Sequence, residues 1–164
     1  MRLPVAAVQR YEDNETMTVI AAWSDRPHPY QPGTRWPYHA SGLAGRVRQT
    51  SRAGRVVDYS HRRGAFAAKA REVGLHSVAA APITVDGAVW GLVTIASTDW
   101  PIPDRAEGRL AEFTELLGTA IANTHTRTEL SASRAGSSPP RTRHGGASSV
   151  TCMTVFSNVW SRLP

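Results

Sequence analysis

The segment APITVDGAVWGLVTIAS, residues 81–97, carries the clearest secondary-structure signal in this chain. Two apolar arms, Ser77–Val85 and Ala88–Ser97, flank the dipeptide Asp86-Gly87. Asp-Gly is preferred in two-residue hairpin turns because both turn positions adopt a positive φ. The segment therefore predicts a β-hairpin. Pro82 cannot donate a hydrogen bond to a neighbouring strand, so we expect a sheet edge or a bulge at that position.

A long amphipathic helix is predicted after this hairpin. Asp104 and Glu107 have the spacing of a capping box, which marks a helix start. The apolar residues that follow recur at intervals of four and three, as far as about Ser131, which corresponds to a helix of roughly 40 Å. This narrow apolar stripe is suited to packing on a sheet or on a second helix.

The upstream sequence predicts further strands and two short helices. Strands are expected at 5–9, 17–23 and 55–59, and helices at 41–50 and 65–73. Ser41 is the expected cap of the first helix, and Gly74 ends the second. Residues 25–37 contain four prolines and are predicted to form a loop without regular structure. The order of elements predicts an α+β fold around an antiparallel sheet.

Composition and charge restrict the class of protein. Four of the 19 basic residues follow Leu130, whereas all 13 acidic residues precede it, so residues 1–130 carry 15 basic and 13 acidic groups, a net charge of +2. The overall charge of +6 thus reflects the C-terminal segment. No apolar run approaches the ~18 residues of a membrane-spanning helix, and no signal peptide is evident. With Cys152 as the single cysteine, the sequence favours a cytoplasmic protein.

Several segments together resemble a known domain family. The hairpin above is followed by EGRLAEFTELLGTAIANTHTRTEL, and upstream lie VAAVQRYE, TMTVIAAWS, GTRWPYHASGLAGRV and RVVDYS. In this order the segments resemble the GAF domains of bacterial sensor histidine kinases, over residues 4–131. The resemblance implies a GAF/PAS-like central antiparallel sheet flanked by helices, with a long C-terminal exit helix. We therefore assign residues 1–131 to a sensory domain in which the family's usual opening helix is missing.

Residues 132–164 are rich in Gly, Ser, Pro and Arg, and we predict a disordered basic tail there. Written with G- or C-ending codons and read one nucleotide earlier, this tail encodes RRR(I/V)ERDLHDGVQQRLV. That string resembles the phospho-acceptor box of one histidine-kinase subfamily. We interpret the tail as a frameshifted remnant of a dimerisation and phospho-acceptor region, with a natural basic tail as the alternative.

Two groups of residues are candidates for function. GAF folds often keep a ligand cavity, so pocket residues are expected among the aromatic side chains, each with plain core packing as the alternative: Trp36, Tyr59, Phe66 and Trp90. The exit helix is expected to pair with a second copy and to transmit a signal through Leu110, Phe113, Leu117 and Ala120.

No metal site and no catalytic residue are predicted. The six histidines have neither the i, i+4 spacing nor the cysteine partners of a zinc site. Some related kinases bind haem through a GAF histidine, but neither of the two candidates, His61 and His76, matches a ligating motif. The only thiol, Cys152, lies in the tail, which argues against a cysteine-based reductase.

The sequence thus predicts a non-catalytic sensory and dimerisation module of a two-component sensor histidine kinase. It would sense an unidentified small molecule or a redox state and form a homodimer or a mixed dimer through the exit helix. It would not be an enzyme, because it lacks the phospho-acceptor histidine box and the ATP-binding domain. One alternative is part of an active histidine kinase, which would label itself from ATP. Another is a small basic nucleic-acid-binding protein, whose DNA affinity would be steeply salt-dependent and would require residues 135–164.

Overall fold

A computed structural model describes residues 5–24, 28, 30–99 and 101–134 of the chain. The elements in chain order are β1 Val5–Tyr11, β2 Thr16–Ser24, β3 Arg35–Pro37, α1 Leu43–Thr50, β4 Gly54–Val56, α2 Ala65–Glu72, β5 Ser77–Val85, β6 Ala88–Ser97 and α3 Arg105–Arg134. Most of the predicted tail, residues 135–164, lies outside the described residues.

The described strands form one antiparallel sheet in the order β3-β2-β1-β6-β5-β4. The predicted hairpin is present as β5 with β6, and β1 and β2, two of the predicted strands, form a second antiparallel pair. The turn between β5 and β6 has φ values of 50° at Asp86 and 79° at Gly87, as the Asp-Gly dipeptide predicts. The predicted α+β fold around an antiparallel sheet is therefore confirmed.

The two faces of the sheet are covered differently. One face packs on α3 through a cluster of aliphatic side chains that includes Val8, Ile83, Val93 and Ile95. The other face lies beneath α1, α2 and their connecting loops, and we call it the open face. Because successive residues of a strand point to opposite faces, the four long strands β1, β2, β5 and β6 contribute to both clusters.

The apolar stripe of α3 packs on the domain's own sheet. Leu110, Phe113 and Leu117 are buried there against β5 and β6, whereas Ala120 lies at the exposed surface. The helix approaches β5 closely at Gly118, where an added Cβ would lie 2.2 Å from the carbonyl oxygen of Thr84. The packing corrects the assignment of Leu110, Phe113 and Leu117 to a dimer interface, because the sheet already occupies that side of the helix.

The segment predicted as a loop, residues 25–37, contains a short edge strand. β3 pairs with β2, and Pro37 is its last residue. Proline is tolerated there because an edge strand leaves one row of backbone groups without a strand partner. The number of prolines therefore overstated how strongly this segment disfavours a strand, since proline is excluded only from the interior strands of a sheet.

Two boundaries also differ from the sequence prediction. α1 begins at Leu43 with Gly42 as its N-cap and no side-chain capping bond, so Ser41 is not the cap. β4 ends at Val56 rather than at residue 59. The Asp58 carboxylate accepts a hydrogen bond from the Ser60 amide at 2.8 Å, a local turn that takes the chain out of the strand.

Pro82 lies where β5 has a strand partner on one side only. β4 pairs with residues 78–80 of β5 and stops before the proline, and a bulge follows it between Ile83 and Thr84. The expected edge position and bulge are thus both present. None of the helices in the described part of the chain has the length and apolar character that a membrane span requires.

Candidate functional site

A cavity of about 340 Å³ lies between the open face of the sheet and the covering helices. We call it the sheet–helix cavity. All six strands contribute residues to the lining, α1 and α2 supply its walls, and the chain around residues 37–42 and 59–64 surrounds its mouth. Its lining consists of Gln9, Met17, Pro37, Tyr38, His39, Ser41, Gly42, Leu43, Ala44, Arg46, Val56, Tyr59, Arg62, Arg63, Gly64, Phe66, Ala67, Val78, Ala80, Leu92 and Thr94.

The floor is apolar except for one polar pair, a buried glutamine and a half-buried threonine. The Gln9 side-chain amide donates a hydrogen bond to Thr94 Oγ1 at 3.0 Å, and this hydroxyl lies 3.4 Å from the carbonyl oxygen of Ala7. Gln9 is only 4% exposed. This polar pair in an apolar floor gives a ligand a fixed hydrogen-bonding point, because its position is set by the two central strands.

One wall of the cavity is aromatic. Tyr59 and Phe66 both line it, with ring centroids 5.5 Å apart. Tyr30 stacks behind Phe66 at 6.0 Å, and Trp36 contacts Tyr30 at 5.5 Å. Trp36 therefore supports the wall from behind rather than lining the cavity.

Trp90 lies on the other face of the sheet, packed beside the α3 cluster. Strict alternation along β6 would place it with Leu92 on the open face. The register shift between β5 and β6 pairs Ile83 with Gly91 and Thr84 with Val89, so that Trp90 is the extra residue of a bulge. A bulge moves the following residues to the opposite face, which explains why Trp90 does not line the cavity.

Cationic side chains gather at the mouth. Arg46 comes from α1, and Arg62 and Arg63 come from the loop before α2; all three are exposed and line the cavity. Burial raises the pKa of the Tyr59 hydroxyl to about 12, and the neighbouring Arg62 and Arg46 guanidinium groups partly oppose this rise. Sequence reasoning missed these arginines because 16 or more residues separate Arg46 from the other two, and only the fold brings them together.

The histidines considered for haem do not line the cavity. His61 and His76 are both exposed, and His39 is the imidazole that lies at the mouth. The lining thus lacks the buried imidazole that a haem iron would need, and the residues present do not fit that group. Among the described residues, no three His, Cys, Asp or Glu side chains converge as a metal site would require.

Arg55 connects the cavity wall to α3. Its guanidinium contacts Asp104 at 2.5 Å and Glu107 at 3.1 Å, and it donates to the carbonyl oxygen of Ile102 at 2.9 Å. The next residue, Val56, lines the cavity. A single strand therefore joins the lining to the start of the long helix.

Comparison with known proteins identifies the fold. A family model for the GAF domain matches residues 4–122, which is most of the chain. The chain belongs to the GAF domain family. The sequence-based resemblance to GAF domains is thereby confirmed, and the sheet–helix cavity is a feature of this chain's GAF fold.

Solved GAF structures have the same architecture. The blue-light absorbing form of the Thermosynechococcus elongatus PixJ GAF domain is 15% identical, with a TM-score of 0.65 over 80% of this chain and 81% of that one. A phycocyanobilin-bound GAF domain from a cyanobacterial phytochrome is 17% identical, with a TM-score of 0.61 over 76% and 78%. The GAF domain region of a putative membrane protein from Geobacter sulfurreducens PCA is 16% identical, with a TM-score of 0.59 over 74% and 82%. No curated protein sequence matches this chain.

Proposed function

We propose that this GAF domain is the sensory module of a signalling protein and binds a small organic molecule in the sheet–helix cavity. The observation that carries the proposal is the cavity itself, which combines an apolar floor, an aromatic wall and one fixed polar pair. Its volume of about 340 Å³ falls in the range of small-molecule sites. A similar GAF structure is described as phycocyanobilin-bound, so this fold can hold a small organic molecule.

The signalling context proposed here is that of a two-component sensor histidine kinase. The sequence around the last hairpin and α3 resembles such kinases, and the tail read in another frame resembles their phospho-acceptor box. We place catalysis outside residues 1–164, which contain neither that box in frame nor an ATP-binding domain. In this scheme the GAF domain supplies ligand recognition, and α3 carries the response.

Arg55 is the proposed link between recognition and response. A ligand that displaces Val56 or Tyr59 also moves β4, and with β4 the guanidinium that contacts Asp104 and Glu107. The first turn of α3 would then shift relative to the sheet. Such coupling requires that ligand binding favours one of two positions of the helix.

Pairing with a second chain through α3 remains part of the proposal, with a different contact surface. Leu116 is 67% exposed, and it lies on the side of α3 away from the sheet. Leu116→Glu is expected to convert a dimer into a monomer in light scattering after size-exclusion chromatography, because a buried carboxylate opposes association. Val57→Glu places the same charge on an exposed apolar residue of the β4 side and should leave the mass unchanged. A monomeric wild-type chain would refute pairing through α3.

Ligand binding can be tested with 1-pyrenebutanol, a fluorescent aromatic alcohol of suitable size. The wild-type chain should bind it, and Ala80→Leu, which places three further carbon atoms in the cavity from its floor, should weaken binding. Hydrogen exchange of the first turns of α3 should change when the probe binds. If neither 1-pyrenebutanol nor its anionic analogue binds, the proposed sensory role is wrong; if binding leaves α3 unchanged, transmission through α3 is wrong.

A further inference from the structure

We infer that the ligand of the sheet–helix cavity is an organic anion, with a carboxylate or phosphate group at the mouth and an apolar or aromatic body inside. The anionic group would be bound by Arg46, Arg62 and Arg63. This inference rests on the proposed small-molecule binding and adds the chemical class of the ligand.

The arginines at the mouth have no carboxylate partner in the part of the chain that the structure describes. Among the described residues, the ion pairs of the surface involve Arg10, Arg55 and Lys69, each with a nearby Asp or Glu. None of the three arginines at the mouth takes part in such a pair, and no Asp or Glu lines the cavity. The nearby Asp58 carboxylate accepts hydrogen bonds from Ser60 instead.

This concentration of cations is local. Residues 1–130 carry a net charge of only +2, so a cluster of three arginines without an acid is not a consequence of overall composition. Three like charges at one opening repel one another unless a counter-ion lies between them. Guanidinium groups bind carboxylate and phosphate oxygens through pairs of hydrogen bonds, which makes an oxyanion the matching counter-ion.

The backbone at the mouth adds partial positive charge to that of the arginines. Gly42 is the N-cap of α1 and Gly64 is the N-cap of α2, and both glycines line the cavity. Neither helix has a side-chain cap or an acidic residue in its first turn. The unpaired amides of a helix N-terminus carry partial positive charge, so both helices reinforce the preference of the arginines for an anion.

The apolar interior of the cavity determines the chemistry of the rest of the ligand. Behind the arginines, the cavity is lined by Met17, Val78, Leu92 and the aromatic pair Tyr59 and Phe66. A free inorganic anion would leave this apolar surface unfilled. An amphipathic anion satisfies both parts, because its charge stays at the exposed mouth while its body is removed from water.

The test compares two probes of nearly the same shape, 1-pyrenebutyrate and 1-pyrenebutanol, by fluorescence titration of the full chain. The carboxylate should bind about tenfold more tightly than the alcohol at low salt, with the difference shrinking as salt is raised. Each of R46Q, R62Q and R63Q should weaken pyrenebutyrate about threefold to tenfold and leave pyrenebutanol unchanged. R109Q, which removes the same charge from the exposed surface of α3, should change neither affinity.

The outcomes separate the two proposals. Equal binding of the two probes, weakened in Ala80→Leu, would overturn the anion assignment and leave small-molecule binding in place. A preference for pyrenebutyrate that survives all three arginine substitutions would also overturn it, because another group would then hold the carboxylate. Absence of binding by both probes would overturn the inference together with the proposed function.

Discussion

Replacing Ala80 by leucine is expected to leave the domain as stable as the wild type or slightly more stable. Ala80 is fully buried on β5, and its side chain lines the cavity. Leucine adds three carbon atoms, which at about 0.8 kcal/mol per buried methylene contribute at most about 2.4 kcal/mol. Fixing the longer side chain costs about 0.5–1 kcal/mol, and displacing cavity water lowers the gain further. The net change in the free energy of unfolding should lie between zero and about +1.5 kcal/mol.

The next residue provides a matched control. Ala81 is equally buried on the same strand, but it faces α3 and packs in the cluster of Ile83, Val93 and Leu110. The same substitution, Ala81→Leu, inserts three carbon atoms into a filled core. Overpacking of this kind typically costs about 1–3 kcal/mol.

Urea denaturation followed by circular dichroism measures both changes, provided that the slope of free energy against urea is the same in all three proteins. Thermal denaturation gives a second measure, at about 4 °C for each kcal/mol in a domain of this size. The two variants should differ by at least about 1–2 kcal/mol. If Ala80→Leu lowers stability as much as Ala81→Leu, the open face is as tightly filled as the helix face, and the argument from the cavity is refuted.

Three further measurements test other parts of the structure. Gly118→Ala should lower the free energy of unfolding by about 1–3 kcal/mol, because the new Cβ meets a carbonyl oxygen of β5. Gly108→Ala is the control: its new Cβ meets nothing within 4 Å, and it should raise the free energy of unfolding by about 0.5–1 kcal/mol. Equal effects of the two substitutions in thermal denaturation would contradict the close approach of α3 to β5. Arg55→Ala should cost about 1 kcal/mol and speed hydrogen exchange in the first turn of α3, unlike Arg109→Ala, since it removes contacts with two carboxylates that are partly screened by solvent. Stability should fall as the pH rises from about 10 towards 12, because the pKa of Tyr59 in the folded state lies above the value near 10 of an unfolded tyrosine. At pH 11 the free energy of unfolding should be lower by about 1.4 kcal/mol because of this group. Urea titrations of Tyr59→Phe should show a smaller fall over the same pH range.

Local signals in the sequence predicted the local structure well. Asp86 and Gly87 specify a turn through their own backbone preferences, and the bounds of β5 and β6 follow from it. The apolar stripe of α3 also follows from local spacing. The surface against which this stripe packs does not, because the same pattern suits a sheet and a second helix. The sheet of this domain occupies that surface, which only the packed fold reveals.

The site was less predictable because it depends on long-range geometry. Tyr59 and Phe66 were identified from residue type, and both line the cavity. Trp90 does not, since a bulge is a register event between two strands that alternation within one strand cannot show. The arginines at the mouth were missed for a related reason, because α1 and the loop before α2 meet only after the sheet has formed.

The cavity also links occupancy to stability. The cavity of about 340 Å³ opens to solvent at its mouth, where exposed arginines line it, so water can enter it. The cavity therefore contains water or a ligand, and the polar pair of Gln9 and Thr94 and the exposed arginines at its mouth suit either. Replacing that water by a ligand body adds stability in proportion to RT ln(1 + [L]/Kd), about 2.7 kcal/mol at one hundred times Kd. In the proposed scheme, in which β4 joins the lining to α3 through Arg55, part of this free energy would fix the position of the helix.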